Sequence, residues 1–384
     1  MSVRSETTTT ETHDVVVIGG GPAGAAAAWG CARNGWDVVV VEKAAFPREK
    51  VCGGCLSPMG VRSLETLGLG TAARQAGVSL QRFDCAAGSR RAQFQLDGTG
   101  VAIGRELLDD LILTRACAAG AERLRGIAHV DHHDNAMCEV AVSGGECTRR
   151  IRAKVVIAAD GLSGTCLPEG DYWRPKIVKK SWFGVGARLP ARFGPDLCER
   201  HVIAMRCGVE GYFGAARLSD GTVDVAAALS PGATKRAGGP GAAVAEIARC
   251  CRVDPAFARE AVWRGTPLLT RTRRAEGPGV FVVGDCAGYV EPFTGEGISW
   301  ALAGGLAVSD YVGAALRGTY RAGAWSDALT RIVGQRRVSC RLTTIALRRS
   351  WLLQPALALL SATPSAAALF APLVAGPWRL AGAP

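Results

Sequence analysis

The sequence predicts an α/β protein with three parts: a domain built on a buried parallel sheet, an inserted domain with a mostly antiparallel β-sheet, and a helical C-terminal segment. Two β-branched runs, at 14–18 and 37–41, flank a glycine-rich turn and an alanine-rich stretch, which is the pattern of a strand–helix–strand unit. Short apolar runs with Gly/Asp turns fill 166–276, as in antiparallel sheets. A charge-free stretch follows a cluster of arginines near the C-terminus.

The bulk composition indicates a folded chain that is long enough for two domains. Its 384 residues are 48% hydrophobic and 21% charged, and domains usually hold about 100 to 200 residues. The net charge of +11 suits an anionic partner, such as nucleic acid, a membrane surface or a phosphate-bearing cofactor. Because Lys and Arg are dispersed and aromatic residues make up only 6%, we expect no nucleic-acid partner.

The N-terminal residues and the cysteines predict a reduced, cytoplasmic environment. Residues 1–14 are polar and lack the apolar core of a secretory signal. The 14 cysteines are irregularly spaced, and outside the secretory route such residues are usually free thiols that pack as small hydrophobic groups. We therefore expect a cytoplasmic protein without a disulfide framework.

The glycine-rich turn predicts a Rossmann-like dinucleotide-binding unit. Gly19 permits a tight turn, Gly21 lets the backbone approach a pyrophosphate, and Gly24 lets the helix pack closely on the strand. The second β-branched run ends in Glu42, where a carboxylate can accept hydrogen bonds from the ribose hydroxyls of an adenosine. Further binding candidates in this unit are Pro22, Ala23 and Lys43.

A second motif, far along the chain, favours FAD over NAD. A buried strand closes on Gly284 and Asp285, and a carboxylate there can hold a ribityl hydroxyl of a flavin. Residues 292–298 then open a predicted helix, whose N-terminal amides would face the negative charge of a reduced flavin. The binding candidates of this segment are Pro292, Gly295, Gly297 and Ile298.

These motifs resemble the FAD-dependent oxidoreductase superfamily of geranylgeranyl reductases and para-hydroxybenzoate-hydroxylase-type monooxygenases. Besides the segments above, Arg105–Asp109 is similar to the R-x-x-L-D helix start of that superfamily, and 159–161 is similar to its Ala-Asp-Gly segment. The resemblance implies a Rossmann-like FAD domain of the glutathione-reductase type. It further implies that Arg105 contacts the FAD, that Asp160 bridges flavin and nicotinamide binding, and that Asp285 binds the ribityl chain.

Two segments point to different branches of the superfamily. Residues 47–57 are similar to the P-x-x-K-x-C-G-G-G stretch of the geranylgeranyl reductases, with Cys55 in place of the last glycine. Residues 211–217 read GYFGAAR and do not match the Y-x-W-x-F-P pattern that the reductases carry at the corresponding strand. Cofactor-binding candidates in the first segment are Arg48, Cys52, Gly53 and Gly54.

The function expected from these motifs is that of an FAD-dependent, NADH- or NADPH-using oxidoreductase acting on a lipophilic small molecule. The leading interpretation is a monooxygenase that hydroxylates an aromatic or polyketide-like substrate. The alternative is reduction of isoprenoid double bonds, and a rival of another class is a non-enzymatic flavin-binding electron carrier. No catalytic acid or base can be assigned.

Two other clusters of metal-ligand residue types predict no metal site. Cys52-x-x-Cys55 has no second pair to complete a zinc site. The leading interpretation of the pair is one family cysteine beside one chance substitution, and the alternative is a redox-active pair. His132 and His133 lie in a polar stretch that is typical of a solvated turn.

The motif positions set the expected domain boundaries. The FAD-binding domain takes 14–75, 100–165 and 277–330, the substrate domain takes 76–99 and 166–276, and a C-terminal helical cap takes 331–384. In the cap, prolines beginning with Pro355 should cut the apolar stretch into pieces too short for a spanning helix. Its arginines suit a peripheral membrane contact; they are Arg336, Arg337, Arg341, Arg348 and Arg349.

Overall fold

A computed structural model describes residues 10–144, 149–291, 293 and 295–362. The strands are β1 (Thr10–Ile18), β2 (Val38–Glu42), β3 (Cys55–Leu56), β4 (Val78–Ala87), β5 (Arg90–Ala102), β6 (Glu122–Arg125), β7 (Ile127–His133), β8 (Cys138–Ser143), β9 (Arg149–Ala158), β10 (Lys176–Ile177), β11 (Phe183–Leu189), β12 (Val202–Cys207), β13 (Gly211–Arg217), β14 (Val223–Leu229), β15 (Arg264–Leu268), β16 (Arg271–Thr272), β17 (Glu276–Gly277), β18 (Val280–Val282) and β19 (Gly288–Tyr289). The helices are α1 (Pro22–Arg33), α2 (Pro58–Thr66), α3 (Gly70–Ala76), α4 (Arg105–Ala118), α5 (Gly194–Leu197), α6 (Pro231–Ala237), α7 (Pro240–Cys250), α8 (Ala256–Glu260), α9 (Gly297–Leu316), α10 (Ala324–Leu347) and α11 (Ser350–Ala362).

The first sheet has the order β17-β18-β9-β1-β2-β6, and the β7–β8 hairpin extends it beside β9. β1 is parallel to both neighbours, with Val15 opposite Val38 and Val155. The valine runs Val15–Ile18 of β1 and Val38–Val41 of β2 are buried, as expected where helices cover a parallel sheet. α1 packs against α4 and α9. The predicted Rossmann-like fold is confirmed, although β1 begins at Thr10, four residues before the predicted start.

The second sheet has the order β15-β11-β14-β13-β12-β4-β5-β3. Its neighbouring strands are antiparallel except for β4 and β12, which run parallel. α7 and α8 supply apolar side chains to its core, where Phe213 meets Phe257 with ring centroids 5.5 Å apart. The predicted mostly antiparallel sheet is therefore confirmed. It also takes in Cys55–Leu56 and Gly100–Ala102, which the motif positions had placed in the other domain.

The C-terminal segment is helical, as predicted, with α10 beginning seven residues before residue 331. α11 packs on β4 and β5, where Leu353 and Leu357 join a cluster with Phe83. The expected break at Pro355 is wrong, because α11 continues through this residue; the prolines after residue 362 lie outside the described residues. Within the described ranges, no helix is long and apolar enough to cross a membrane.

A buried ion-pair cluster joins the one parallel strand pair of the second sheet. Asp84 on β4 is 2% exposed and accepts from Arg206 Nη2 on β12 at 2.7 Å and from Arg91 Nε on β5 at 2.6 Å. Burial opposes ionisation of Asp84, but the hydrogen bonds from Arg91 and Arg206 outweigh it and lower the pKa of the carboxyl. The charge of Arg206, itself buried, therefore depends on Asp84 for compensation.

We expect Asp84→Ala to lower the free energy of unfolding by about 3–5 kcal/mol, because it leaves the Arg206 guanidinium buried without a counter-charge. Since the folded-state pKa of Asp84 is lowered, its contribution is present above about pH 4 and is lost as pH falls through that pKa. Urea unfolding followed by circular dichroism, at neutral and acidic pH, measures both effects. Asp171→Ala, which breaks an exposed pair with Arg174, is the control; equal behaviour of the two variants would contradict the prediction.

Candidate active site

A cavity of about 540 Å³ connects the two sheets. One end lies at the glycine turn after β1 and at the end of β2, where the lining is polar. The other end lies under β11, β13 and β14 of the second sheet, where the lining is apolar. The cavity therefore joins a polar region, suited to a dinucleotide, to an apolar chamber.

The glycine turn at the polar end has the close packing that the sequence predicts. Gly19 has a φ of +106°, and a Cβ at this position would lie 2.5 Å from the carbonyl oxygen of Ala159. A Cβ at Gly24 would lie 1.9 Å from the Gly19 carbonyl oxygen. α1 begins at Pro22 with Gly21 as its N-cap and no side-chain cap. Its first amides are left for an anionic ligand.

Glu42 fastens the glycine turn to the end of β2. Its Oε2 accepts from the Gly20 amide at 2.7 Å, and its Oε1 accepts from the Ala44 amide at 2.9 Å. A carboxylate can accept about four hydrogen bonds, so capacity remains for the hydroxyls of a ribose. Lys43, next to it, also lines the cavity.

Two arginines are held at the cavity wall by one buried carboxylate. Asp109, fully buried, accepts from Arg105 Nε at 2.8 Å and Nη2 at 2.7 Å, and pairs with Arg48 Nη2 at 3.2 Å. The Arg48 guanidinium also lies beside Gly21, where a Cβ would be 3.4 Å from Nη2. Arg48 Nε is buried and has no hydrogen-bond partner among the described residues. The arrangement suits a phosphate at the N-terminus of α1.

The segment after Arg48 brings a lysine and two thiols to the cavity. The cavity is lined by Lys50, Cys52, Gly53 and Cys55. Gly54 does not line the cavity. It has a φ of +66°, and a Cβ at this position would lie 2.8 Å from the Asp224 Oδ2 atom on β14. Solvent in the cavity reaches Lys50, yet surrounding protein and a neighbouring arginine lower the pKa of its ammonium.

The two thiols at this wall are protonated. Cys52 Sγ accepts from the Gly54 amide at 3.4 Å, and Cys55 Sγ donates to the Gly53 carbonyl at 3.3 Å. Burial raises the pKa of both thiols. Neither is in a disulfide, so both are free thiols rather than reactive thiolates.

Two aspartates face the middle of the cavity. Asp160 Oδ2 accepts from the amides of Thr165 and Cys166 at 2.6 and 2.9 Å, whereas the buried Oδ1 has no partner among the described residues. Asp285 lies in the turn after β18, which Gly284 permits with a φ of +62°. Both aspartates line the cavity, as the sequence predicts.

The second helix N-terminus also reaches the cavity. Gly295, Gly297 and Ile298 line it, and Gly295 has a φ of +71°. α9 begins at Gly297, later than the opening expected at residue 292. The predicted site residue Pro292 lies outside the described residues.

The apolar end of the cavity is lined by small side chains with a few aromatic ones. The small residues are Gly184, Gly214, Ala215, Ala226, Ala227 and Ala228. Tyr212 lines this end, with its ring 5.2 Å from that of Phe293 and 6.2 Å from that of Trp182, while Phe213 points into the core on the opposite face. Tyr212 is therefore part of the cavity wall, whereas Phe213 is part of the core.

Sequence reasoning missed a buried carboxylate behind this end. Glu291 is 0% exposed, and its Oε2 accepts from Arg348 Nη2 at 2.8 Å. Arg348, one of the arginines that suit a membrane contact, binds Glu291 and covers the Trp182 ring, with 4.2 Å to the centroid. An acidic residue between apolar neighbours in Tyr289–Phe293 was the only available signal.

The clusters of metal-ligand residue types have other partners. His132 pairs with Asp134 at 3.2 Å, and His133 accepts from Trp173 Nε1 at 3.1 Å; both lie at the end of β7 rather than in a turn. A different set brings ligand-type atoms within 4.8 Å of one another: Asp160, Cys166 and Cys286. Arg273 Nη1 donates to the Cys286 sulfur at 3.3 Å, and this cation disfavours a metal ion there.

Comparisons with known proteins agree with this geometry. A family model described as an FAD binding domain matches residues 12–187. A menaquinone reductase of Mycolicibacterium smegmatis is 30% identical over 310 residues, covering 75% of this chain and 73% of the relative. A digeranylgeranylglycerophospholipid reductase of Methanopyrus kandleri is 28% identical over 307 residues, covering 75% of this chain and 74% of that protein.

A solved structure matches the whole architecture. The flavoprotein/dehydrogenase from Cytophaga hutchinsonii superimposes with a TM-score of 0.79 at 18% identity, covering 95% of this chain and 93% of that one. At that identity the likeness concerns the fold alone. Together with the identity and coverage of the menaquinone reductase, these matches show that the chain is an FAD-dependent oxidoreductase of the superfamily that contains the geranylgeranyl reductases and the para-hydroxybenzoate-hydroxylase-type monooxygenases.

Proposed function

We propose that the chain reduces isoprenoid double bonds of a lipophilic substrate, with FAD as cofactor and NADH or NADPH as electron donor. The observation that carries the proposal is the cavity that runs from the dinucleotide motifs into an apolar chamber. Two relatives named as reductases of menaquinone and of a geranylgeranyl lipid support it, as does the P-x-x-K-x-C-G-G segment at the cavity wall. This was the second interpretation of the sequence.

FAD fits the residues at the polar end. We assign the pyrophosphate to the turn from Gly19 to Gly24 with Arg48, and the adenosine ribose to Glu42 beside Lys43. We assign binding of the ribityl chain to Asp285, which follows Gly284. We assign the ring system to the remaining predicted residues that line the cavity: Cys52, Gly53, Arg105, Asp160, Gly295, Gly297 and Ile298. The orphaned atoms Arg48 Nε and Asp160 Oδ1 support a polar ligand at this end, because buried polar atoms normally have partners.

The division of work between the two sheets follows from this placement. FAD, when bound, supplies the redox chemistry. The first sheet holds the cofactor, and we propose that the second sheet forms the substrate domain, whose apolar wall excludes water and aligns a hydrocarbon chain. Burying such a chain favours binding by about 0.8 kcal/mol per CH₂ group.

Hydroxylation of an aromatic or polyketide-like substrate remains the second candidate. If Tyr212 matches the first residue of the reductases' Y-x-W-x-F-P pattern, Gly214 stands in place of the tryptophan. Gly214 lines the cavity, so the chamber is wider here than a tryptophan would leave it. A wider chamber admits a ring system as well as a chain.

An anaerobic assay separates the two candidates. The FAD-loaded protein is reduced with NADH or NADPH and mixed with menaquinone or a geranylgeranyl lipid. We expect the flavin to be reoxidised without oxygen. We also expect the isoprenoid chain to gain two hydrogens per turnover, measured by mass spectrometry after any quinol has been reoxidised in air. Oxygen consumption stimulated by a phenolic compound, with no anaerobic product, would instead favour the hydroxylase. If neither NADH nor NADPH reduces the flavin, the result would favour the electron carrier.

We expect the protein to purify yellow with non-covalent FAD, and Glu42→Arg to weaken FAD binding by about 10- to 100-fold. The variant removes hydrogen bonds to a charged acceptor, worth about 1.5–3 kcal/mol, and sets a cation against hydroxyls and amides that need acceptors. Fluorescence titration of the apoprotein measures the affinity. Glu65→Arg, at an exposed position on α2, is the control. Unchanged affinity in a folded Glu42→Arg protein would contradict the assignment.

We expect Cys55→Gly to retain FAD content and turnover, because burial keeps this thiol protonated and the change restores the glycine of the similar reductases. FAD absorbance and the anaerobic assay provide the measurements. Cys55→Ser, which keeps a donor for the Gly53 carbonyl, tests the hydrogen bond separately. Loss of turnover in both variants with normal FAD content would show that the thiol takes part in the reaction.

A peripheral membrane contact through the C-terminal segment is a further proposal. Residues 363–378 carry no charged side chain and lie outside the described residues, while each arginine near an anionic surface adds about 1 kcal/mol. We expect co-sedimentation with phosphatidylglycerol vesicles at low salt, release at high salt, and weaker binding of a chain that ends at Ala362. Equal binding to phosphatidylcholine vesicles, or insensitivity to salt, would refute the contact.

A further inference from the structure

A row of small residues crosses the cavity face of the second sheet and ends at a methionine. Ala226 on β14 pairs with Gly214 on β13, which pairs with Met205 on β12. Paired residues of adjacent strands share a face of the sheet, and these three line the cavity. On its other side Ala226 pairs with Gly186 on β11. Gly186 packs against Val51, since a Cβ at Gly186 would lie 2.9 Å from Val51 Cγ1. The row is therefore a trough that is closed at β11 and floored by little more than backbone.

Met205 is the first long side chain of this row, and it stands where the cavity stops. A Cβ at Gly214 would lie 2.7 Å from Met205 Sδ, so the thioether lies against the bare backbone of Gly214. The sheet continues beyond β12, with Cys85 on β4 opposite Met205 and Ala92 on β5 opposite Cys85. None of the described residues of β4 or β5 lines the cavity. The Met205 side chain is therefore the end wall of the cavity along this row.

Small side chains continue behind that wall. Cys85 and Ala92 lie in the same buried apolar cluster as Met205, which Leu353 and Leu357 of α11 join. Because these next positions carry no long side chain, shortening Met205 would extend the row by one strand spacing, about 4.8 Å. That distance is close to the length of one isoprene unit. The size of the side chain at position 205 therefore decides how far an apolar chain can reach.

The two flanking rows do not offer the same path. In one of them Gly184 pairs with Ala228, which pairs with Tyr212 on β13. The ring of Tyr212 closes that row one strand earlier. In the other row Arg188 pairs with Asp224, and Arg188 Nε lies 2.8 Å from Asp224 Oδ1. A hydrocarbon chain cannot satisfy such charged groups, so the middle row is the one of these three that suits it.

We propose that Met205 sets the length of the prenyl chain that the apolar chamber accepts. The inference rests on the function proposed above, in which the substrate is an isoprenoid lipid. The chain would cross β14 and β13 along the row and stop at the thioether. An unbranched thioether suits this position, because it can adapt its rotamer to the end of a chain. Met205 is thus a specificity-determining residue that takes no part in hydride or proton transfer.

Binding of straight-chain alcohols tests the end wall without turnover. The FAD-loaded full chain is titrated calorimetrically with saturated alcohols of increasing length. Affinity should rise about fourfold per CH₂ group and level off once the chain reaches Met205. In Met205→Ala the rise should continue for about three further CH₂ groups, one for each heavy atom that the substitution removes.

Met59→Ala is the matched control for this series. Met59 and Met205 are each 3% exposed, but Met59 lies on α2 and outside the cavity lining. Its affinities should level off at the wild-type chain length. Circular dichroism and FAD content verify that both variants fold. An unchanged limit in a folded Met205→Ala protein, or a wild type whose affinity never levels off, would overturn the proposal.

Gly214→Ala tests the same wall from the neighbouring strand. The added Cβ would lie 2.7 Å from Met205 Sδ, so the thioether must move, and alcohols that reach the wall should bind more weakly. In Gly214→Ala/Met205→Ala the methyl group has room, and this loss should largely disappear. Additive effects of the two substitutions would contradict the shared space.

Turnover of two isoprenoid lipids links the wall to specificity. The anaerobic assay compares a geranylgeranyl lipid with a homologue that is one isoprene unit longer. Met205→Ala should raise the kcat/KM of the longer lipid relative to the shorter one by about tenfold or more. Met205→Phe should lower the same ratio. A ratio that neither substitution changes would count against Met205.

The outcomes separate the two proposals. If the wild type reduces the geranylgeranyl lipid but Met205→Ala changes neither the alcohol limit nor the kcat/KM ratio, Met205 is not the end wall and the proposed function stands. If the wild type forms no reduced product while its flavin is reduced normally, the proposed function is wrong. The alcohol series then decides on Met205 alone: a limit that moves in Met205→Ala supports the end wall, and a fixed limit refutes it.

Discussion

The close packing around the first turn of α1 is the constraint on which the cofactor end depends. A Cβ at Gly24 would lie 1.9 Å from the Gly19 carbonyl oxygen, and one at Gly305 on α9 would lie 2.2 Å from the Ala23 carbonyl oxygen. A Cβ at Gly284 would lie 2.8 Å from the Ala23 side chain. Three glycines from distant segments thus let backbone converge on one turn. This convergence brings the glycine turn, the Asp285 turn and α9 to the same cavity.

The two ends of the cavity differ in what the protein must provide. At the cofactor end, polar atoms are fixed in advance by other polar groups, as Asp109 fixes Arg48 and Arg105. At the other end, small side chains leave room for a ligand, and a few aromatic rings supply contact area. Fixed polar groups specify one cofactor, whereas an apolar chamber sets limits of shape and length. The cofactor motifs are therefore easier to recognise than the substrate.

Much of the cofactor end could be predicted because its determinants are local. The turn between Gly19 and Gly24 and the acid at Glu42 depend on residues adjacent in the chain or one strand apart, so spacing alone indicates them. Spacing could not predict the two buried ion pairs, which are Asp84 with Arg206 and Glu291 with Arg348. They meet only through tertiary packing, which spacing does not encode.

Two details of the C-terminal segment could not be predicted from the sequence, for a physical reason. A run of arginines before an apolar stretch indicates amphipathic character, but not which way each side chain points, and Arg348 points inward. Local rules also place a proline at a helix end, yet the side chains around Pro355 pack on β4 and β5. Packing of Leu353 and Leu357 offsets the hydrogen bond that the proline removes. Tertiary contacts decided both features.

This inward arginine places the C-terminal segment behind the apolar end of the cavity. Glu291 precedes α9 and has no exposed surface, so the cation that compensates its charge must come from an element packed over it. Arg348 comes from beyond α10 and also covers Trp182, whose ring lies beside Tyr212. Removing one partner of such a buried pair costs about 3–5 kcal/mol. The pair thereby fixes the turn between α10 and α11 behind the apolar end of the cavity.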